Sequence, residues 1–293
     1  MTEIFDSDDV FIYIDDVMIA AETFSEFLRK LTKVFETALE YRITFALKKC
    51  SFQTKNDPVK VLGTIFQNGQ KRIDPTRIDA IKKLPAPKTV KEIRSFIGSI
   101  NFIREFLPNI SRLIIPFTDL LKKKNGKQPR KISWSDELNR KFNEIKNMVS
   151  KAVPLSLPDP GSKILITTDA SDHAIGGVVW QQLVPCKAGT PFHLRKVKPI
   201  SFYSRTLTDS QKSWSTMQQE LYAIVQTLNQ PNLSSYLMSQ KLTIFCDHKN
   251  ITFLLTNPER NRVVQRWLPN LAMFLFDVVH TEGVNNEWAD YLS

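Results

Sequence analysis

Lys163-Ile-Leu-Ile-Thr-Thr-Asp-Ala-Ser171 is a short apolar, β-branched run that stops on a carboxylate, Asp169. It reads as a strand over 163–168 bounded by turn residues. Downstream, Gly176-Gly177 reads as a turn, followed by strands over 178–182 and 198–203. A helix is expected from about 213 to 228, a strand over 242–246, helices between 248 and 274, a strand over 276–280 and a last helix from about Asn285. Five strands interleaved with helices predict one sheet-centred domain of α/β (α+β) class.

Upstream, Val153-Pro-Leu-Ser-Leu-Pro-Asp-Pro-Gly161 is rich in proline and marks a domain boundary. Before it lies a helical stretch: Pro75 to Leu84, Thr89 to Phe106, a run through Leu121, and a helix capped by Ser135 that reaches Ser150. Earlier still, Val59 to Phe66 and Gln70 to Ile73 flank Asn68-Gly69, a pair that supplies the positive φ angles of a tight hairpin. The opening run Val10-Phe-Ile-Tyr-Ile-Asp-Asp-Val-Met-Ile-Ala20 predicts a hairpin with Asp15 and Asp16 at its tip. An amphipathic helix should follow from about Thr23 to Tyr41.

The chain has 293 residues, 42% of them hydrophobic, and a formal charge of +10. That composition excludes a disordered tail. No stretch reaches the roughly 20 apolar residues of a membrane span, and the start is acidic rather than basic and apolar, so an intracellular protein with no membrane partner is expected. Cys50, Cys186 and Cys246 fit neither a disulfide framework nor a zinc site and are expected to be buried or idle thiols. The charge is concentrated: Lys71 to Lys146 holds 19 Lys/Arg against 8 Asp/Glu. Such a block is either a solvated helical surface or a surface that neutralises phosphates.

Four acids fall at element ends in the second half: Asp169, Glu220, Asp247 and Asp290. Singly, each has an ordinary explanation as a cap or a solvated side chain. Jointly, carboxylates that converge repel one another and are tolerable only around cations; all-oxygen ligands suit Mg²⁺ or Mn²⁺. Two such ions would support phosphodiester hydrolysis. Spacing alone leaves both readings open.

Thr168-Asp-Ala-Ser171, Gln219-Glu-Leu221, Cys246-Asp-His248-Lys249 and Gly283-Val-Asn-Asn-Glu-Trp-Ala-Asp-Tyr-Leu-Ser293 resemble, in order, the ribonuclease H segments of gypsy-type LTR retrotransposon Pol polyproteins. Tyr13-Ile-Asp-Asp16 looks like that family's polymerase motif, Val61-Leu-Gly-Thr64 like its primer-grip hairpin, and Val90 to Gly98 with Asn101-Phe-Ile-Arg104 like its thumb and connection. The resemblance implies a partial palm over 1–74, a basic helical thumb/connection over 75–152 and a ribonuclease H-like domain over 153–293.

It implies Asp169, Glu220, Asp247 and Asp290 as catalytic metal ligands for two Mg²⁺ or Mn²⁺ ions, with no small-molecule cofactor. The substrate implied is an RNA–DNA hybrid or primer–template duplex, and a longer reverse transcriptase subunit is a further partner it admits. His280 lies ten residues before Asp290, where retroviral ribonucleases H carry a histidine. Its two readings are leaving-group protonation or product release, and a structural role at a strand end. His248 is peripheral.

Arg262 and Arg266 before Trp267 resemble the family's basic and aromatic segment, read as phosphate contacts beside a core tryptophan; the alternative is helix packing with solvated charge. Lys122, Lys123 and Lys124 would bind nucleic acid. The stretch 183–197 is either a flexible substrate-side loop or a surface insertion. The competing class for the whole chain is a non-catalytic remnant or a domesticated nucleic-acid-binding protein.

Asp15 and Asp16 occupy the family's polymerase metal positions, but the family also uses an earlier aspartate and a nucleotide pocket that do not occur in these residues. The 293-residue polypeptide on its own is therefore expected not to extend a primed template. Templated dNTP incorporation by the purified polypeptide would contradict this.

Overall fold

The computed structural model describes residues 10–54, 56–122, 132–187, 189–251 and 262–281. Contacts divide the chain into two compact units between Thr54 and Lys55.

In the first unit, β1 (Val10–Tyr13) and β2 (Asp16–Ile19) pair antiparallel, Tyr13 opposite Asp16. Ile14, at φ 54°, makes the turn. Helix α1 (Phe24–Glu40) is capped by the Thr23 hydroxyl, which accepts from the Glu26 amide. Val34 and Ala38 of α1 are buried against Val10, Ile12, Val17 and Ile19.

In the second unit, β3 (Val59–Val61), β4 (Thr64–Gln67) and β5 (Gln70–Ile73) form an antiparallel meander. Asn68-Gly69 makes the expected tight turn, both residues at positive φ. The run 59–66 is not one strand: Leu62 (φ 49°) and Gly63 (φ 80°) break it with a second turn. Leucine is an unusual residue for the left-handed region, so local pattern reading missed it. Asp74 then caps α2 (Pro75–Lys83), accepting from the Thr76 amide at 2.9 Å and pairing with Lys60. The Lys60 ammonium and that amide hold its carboxyl down at about 2.

Helices α3 (Val90–Phe102), α4 (Ile110–Asp119) and α5 (Asp136–Ser150) follow, α3 and α5 capped by Thr89 and Ser135. The helix expected to reach Phe106 ends at Phe102, and 104–106 is a 3₁₀ turn. The proline-rich segment contributes β6 (Leu155–Ser156), which pairs with β5.

The main sheet runs β11 (Leu275–His280), β10 (Lys241–Cys246), β7 (Ile164–Ala170), β8 (Ala174–Gln182), β9 (Val197–Thr206). β7, β10 and β11 are mutually parallel, and β8 and β9 antiparallel to their neighbours. Short helices α6 (Asp209–Lys212) and α8 (Ser234–Met238) flank the long α7 (Thr216–Leu228), and α9 spans Arg262–Leu271. The last helix, expected from Asn285, lies outside the described residues.

Both faces of this sheet are buried. Ile164, Ile166, Ile175, Ile244 and Cys246 face a core with α7, α8 and α9. Leu165, Val178, Trp180, Phe202 and Phe245 face a second core with α2 to α5, where Ile93, Phe96, Ile110, Phe117, Phe142 and Ile145 lie. The alternation is the period-two pattern of a strand shared between two layers. The helices of the expected thumb region and the sheet thus share one core.

Gly176-Gly177, expected as a turn, lies inside β8, paired with Ser204 and Tyr203 of β9. The turn comes earlier, where the Ala174 amide donates to the Ser171 hydroxyl. Gly177 is needed for close approach: a Cβ there would lie 2.2 Å from the Thr227 hydroxyl of α7. Gly177→Ala should therefore destabilise the protein by about 1–3 kcal/mol through overpacking. Thr227→Ala, which removes the clashing atoms, should recover most of that in the double variant. Additive losses in urea unfolding would show that the contact is not the constraint.

Candidate active site

The ends of β7 and β10 and the second turn of α7 meet at one edge of the sheet. β7 and β10 run parallel with Thr167 opposite Phe245, so Asp169 and Asp247 lie two residues beyond the last paired position on neighbouring strands. Glu220 is brought above them by α7, whose N-terminus is held by a capping box between Ser215 and Gln218. Asp169 and Glu220 are buried and Asp247 is half-buried.

Glu220 is the centre of the group. The Ala170 amide donates to its Oε1 at 3.0 Å, and the Cys246 thiol lies 3.8 Å from its Oε2. Burial above all, then the charges of Asp169 and Asp247, pushes the Glu220 carboxyl well above the ordinary glutamate range. Burial also pushes the Cys246 thiol up, with Glu220 adding to the effect. Ligand atoms of Glu220, Cys246 and Asp247 all lie within 4.8 Å of one another. A thiol held protonated is a poor metal ligand, which leaves carboxylate oxygens as the available donors. That donor set fits Mg²⁺ or Mn²⁺ better than zinc.

Of the expected ligands, the fold brings together Asp169, Glu220 and Asp247; Asp290 lies outside the described residues. His280 ends β11 directly opposite Cys246, at the same sheet edge, and is half-buried. His248 follows Asp247 and keeps a buried Nδ1 with no hydrogen-bond partner among the described residues. Asp15 and Asp16 are exposed at the β1–β2 turn of the first unit.

Sequence reading expected Cys246 to be a buried or idle thiol and gave it no place in the site. It is 1% exposed, in the core and against Glu220. Its position immediately before Asp247 was the one signal available. Cys50 and Cys186 are exposed.

Trp267 packs in the core against Trp214 and Tyr222, with ring centroids 5.5 and 5.7 Å away, while Arg266 is exposed on the same helix. Lys122 is exposed and pairs with Asp119 at 2.9 Å. Lys123, Lys124 and the Arg262 side chain lie outside the described residues.

Part of the basic block is structural. Lys71 is largely buried against Glu105 at 2.6 Å. Lys146 donates to the Leu84 carbonyl. Arg104 donates to the Ser204 carbonyl and the Ser111 hydroxyl, tying the 3₁₀ turn and α4 to β9. Lys82, Lys83, Lys88, Lys91, Arg94 and Arg112 are exposed.

The 183–197 stretch is anchored. Arg195 donates to Thr190 and Gln182 and covers the Phe245 ring at 5.3 Å, and Phe192 is buried against Trp180 and Phe245.

Residues 159–274 match the family model described as the RNase H-like domain found in reverse transcriptase, and residues 2–66 match that of reverse transcriptase (RNA-dependent DNA polymerase). The retrovirus-related Pol polyprotein from transposon 297 of Drosophila melanogaster is 30% identical over 282 residues, covering 96% of this chain and 25% of that protein. That from transposon gypsy is 29% identical over 291 residues, covering 97% of this chain and 26% of its own. The transposon Tf2-3 polyprotein of Schizosaccharomyces pombe is 30% identical, covering 97% and 20%. The chain thus spans about a quarter of the length of the curated relatives it matches.

Among solved structures, the foamy viral protease-reverse transcriptase in complex with dsDNA superposes with a TM-score of 0.69 at 24% identity, covering 94% of this chain and 55% of that one. The same protein with an RNA/DNA hybrid also gives 0.69, covering 93% and 36%. Two collinear family models mark a reverse transcriptase segment followed by an RNase H-like domain, and relatives matched along nearly the whole sequence make the chain similar to the Pol polyproteins of gypsy-type retrotransposons.

Proposed function

We propose that the chain is a metal-dependent endoribonuclease that hydrolyses the RNA strand of RNA–DNA hybrids. The observation that carries this is the convergence of Asp169, Glu220 and Asp247 from two strand ends and a helix, where burial first and the two neighbouring acids second push the Glu220 carboxyl up. A fold does not keep such a cluster for stability, since buried like charges cost free energy unless cations offset them.

Asp169, Glu220, Asp247 and Asp290 would hold two Mg²⁺ or Mn²⁺ ions. When bound, the ions supply an activated water and neutralise charge on the leaving oxygen. The Ala170 amide keeps Glu220 turned towards the strand ends. His280, at the same edge, is assigned to protonating the leaving oxygen or easing product release.

Discrimination of RNA rests on 2′-hydroxyl contacts and duplex shape. The exposed cations of α2 to α4, with Lys122, Lys123, Lys124, Arg262 and Arg266, would hold the phosphates. The foamy viral relative of the same fold carries a duplex in its solved complexes, which supports this choice of partner.

Asp169→Asn and Asp247→Asn keep side-chain shape and remove charge, so both proteins should fold, and hybrid cleavage in Mg²⁺ should fall by at least about a hundredfold, with losses far from additive. Ca²⁺ should bind without supporting turnover. His280→Ala should slow cleavage without abolishing it. Wild-type cleavage by Asp169→Asn would remove the carboxylate assignment; a wild type that binds hybrid but never cuts would make the chain a binding protein.

Glu220→Gln tests the electrostatics without a substrate. The folded state holds the Glu220 proton more tightly than the unfolded state. Without divalent cation, wild type should therefore lose stability relative to the glutamine variant as pH rises from the ordinary glutamate value of 4.5 through the raised folded value. Thermal melts that stay parallel across that window would mean the carboxyl is not destabilised.

A further inference from the structure

Glu220 differs from its partners in being delivered by a helix on a long side chain, while Asp169 and Asp247 sit at strand ends. Its two oxygens are met separately. Oε1 accepts from the amide of Ala170, the residue after Asp169. Oε2 faces the thiol of Cys246, the residue before Asp247, at 3.8 Å. One oxygen is thus tied to the end of β7 and the other to the end of β10, so the chain neighbours of the two aspartates set the plane of the third carboxylate.

Cys246 is 1% exposed among Ile166, Ile244 and Ile251, where a plain aliphatic side chain would fill the space. We infer that Cys246 is a positioning residue for this site, its S–H holding Glu220 Oε2 in the orientation that receives a divalent cation. The inference rests on the nuclease reading for its consequence in turnover, but its core is a statement about cation binding. Donors behind a metal ligand orient it and tune its affinity. A thiol is a weak donor, which puts the expected effect at the small end of that range.

Two substitutions separate a donor from a space-filler. Cys246→Val keeps the apolar volume and removes the donor; Cys246→Ser keeps a donor and loses volume. The Mg²⁺ concentration for half-maximal hybrid cleavage should rise about three- to tenfold in the valine variant and stay within about twofold of wild type in the serine variant. Mn²⁺ binding followed by electron paramagnetic resonance on metal-free protein should show the same order. Thermal stability should rank the other way, valine above serine.

Equal metal dependence in valine variant and wild type, or equal shifts in both variants, would overturn the inference and leave Cys246 a packing residue. If the valine protein does not fold, Cys246→Ala against Cys246→Ser makes the same comparison. A wild type that binds Mn²⁺ but never cuts hybrids would end the nuclease reading while the binding series still decides Cys246; a wild type that binds no Mn²⁺ would overturn both.

Discussion

Strand β7 is buried on both faces, and most of the second unit depends on that constraint. Ile164 and Ile166 point into the core with α7 to α9, and Leu165 into the core with α2 to α5. A slip of one residue would exchange the two sets and carry Asp169 away from the strand end where Glu220 can reach it. Packing on both sides therefore holds the register, and the register sets where the carboxylate lies. Helices α2 to α5 are one of the two layers that keep the central strand in place.

Against this well-packed frame, the acid cluster is a local cost. The backbone amide of Ala170 and the thiol of Cys246 satisfy Glu220 in part, yet burial and two neighbouring acids still push its carboxyl up. Packing of the two hydrophobic cores offsets that local cost. A site that is unfavourable when empty is well suited to binding cations, since relief of repulsion adds to their affinity.

Charge elsewhere divides by geometry. Lys71, Arg104 and Lys146 lie within one sequence block with Lys82, Lys91 and Arg112, but the first three are engaged with protein partners and the last three are exposed. Arg104 in particular joins Ser111 of α4 to Ser204 of β9, so a residue counted as part of a basic surface is a cross-brace between layers. The excess of positive charge available to a duplex is smaller than composition suggests.

Caps and the Asn-Gly turn were legible in the sequence, because their causes are local. Thr23, Thr89 and Ser135 cap helices where each stands before an apolar periodic run, and Asn68-Gly69 turns the chain because only such residues accept left-handed angles cheaply. The order of the acids along the chain was legible for the same reason.

Tertiary structure alone decided what depends on residues far apart. Gly177 is paired within β8 rather than lying in a turn, and its lack of a side chain makes room for Thr227 of α7. The proline-rich segment carries β6, which pairs with β5 across 80-odd residues. Cys246 is part of the site because β10 places it beside a helix residue 26 positions earlier. Hydrogen-bonding propensity acts over a few residues; burial and electrostatic repulsion act through space, and only the packed chain specifies which groups share that space.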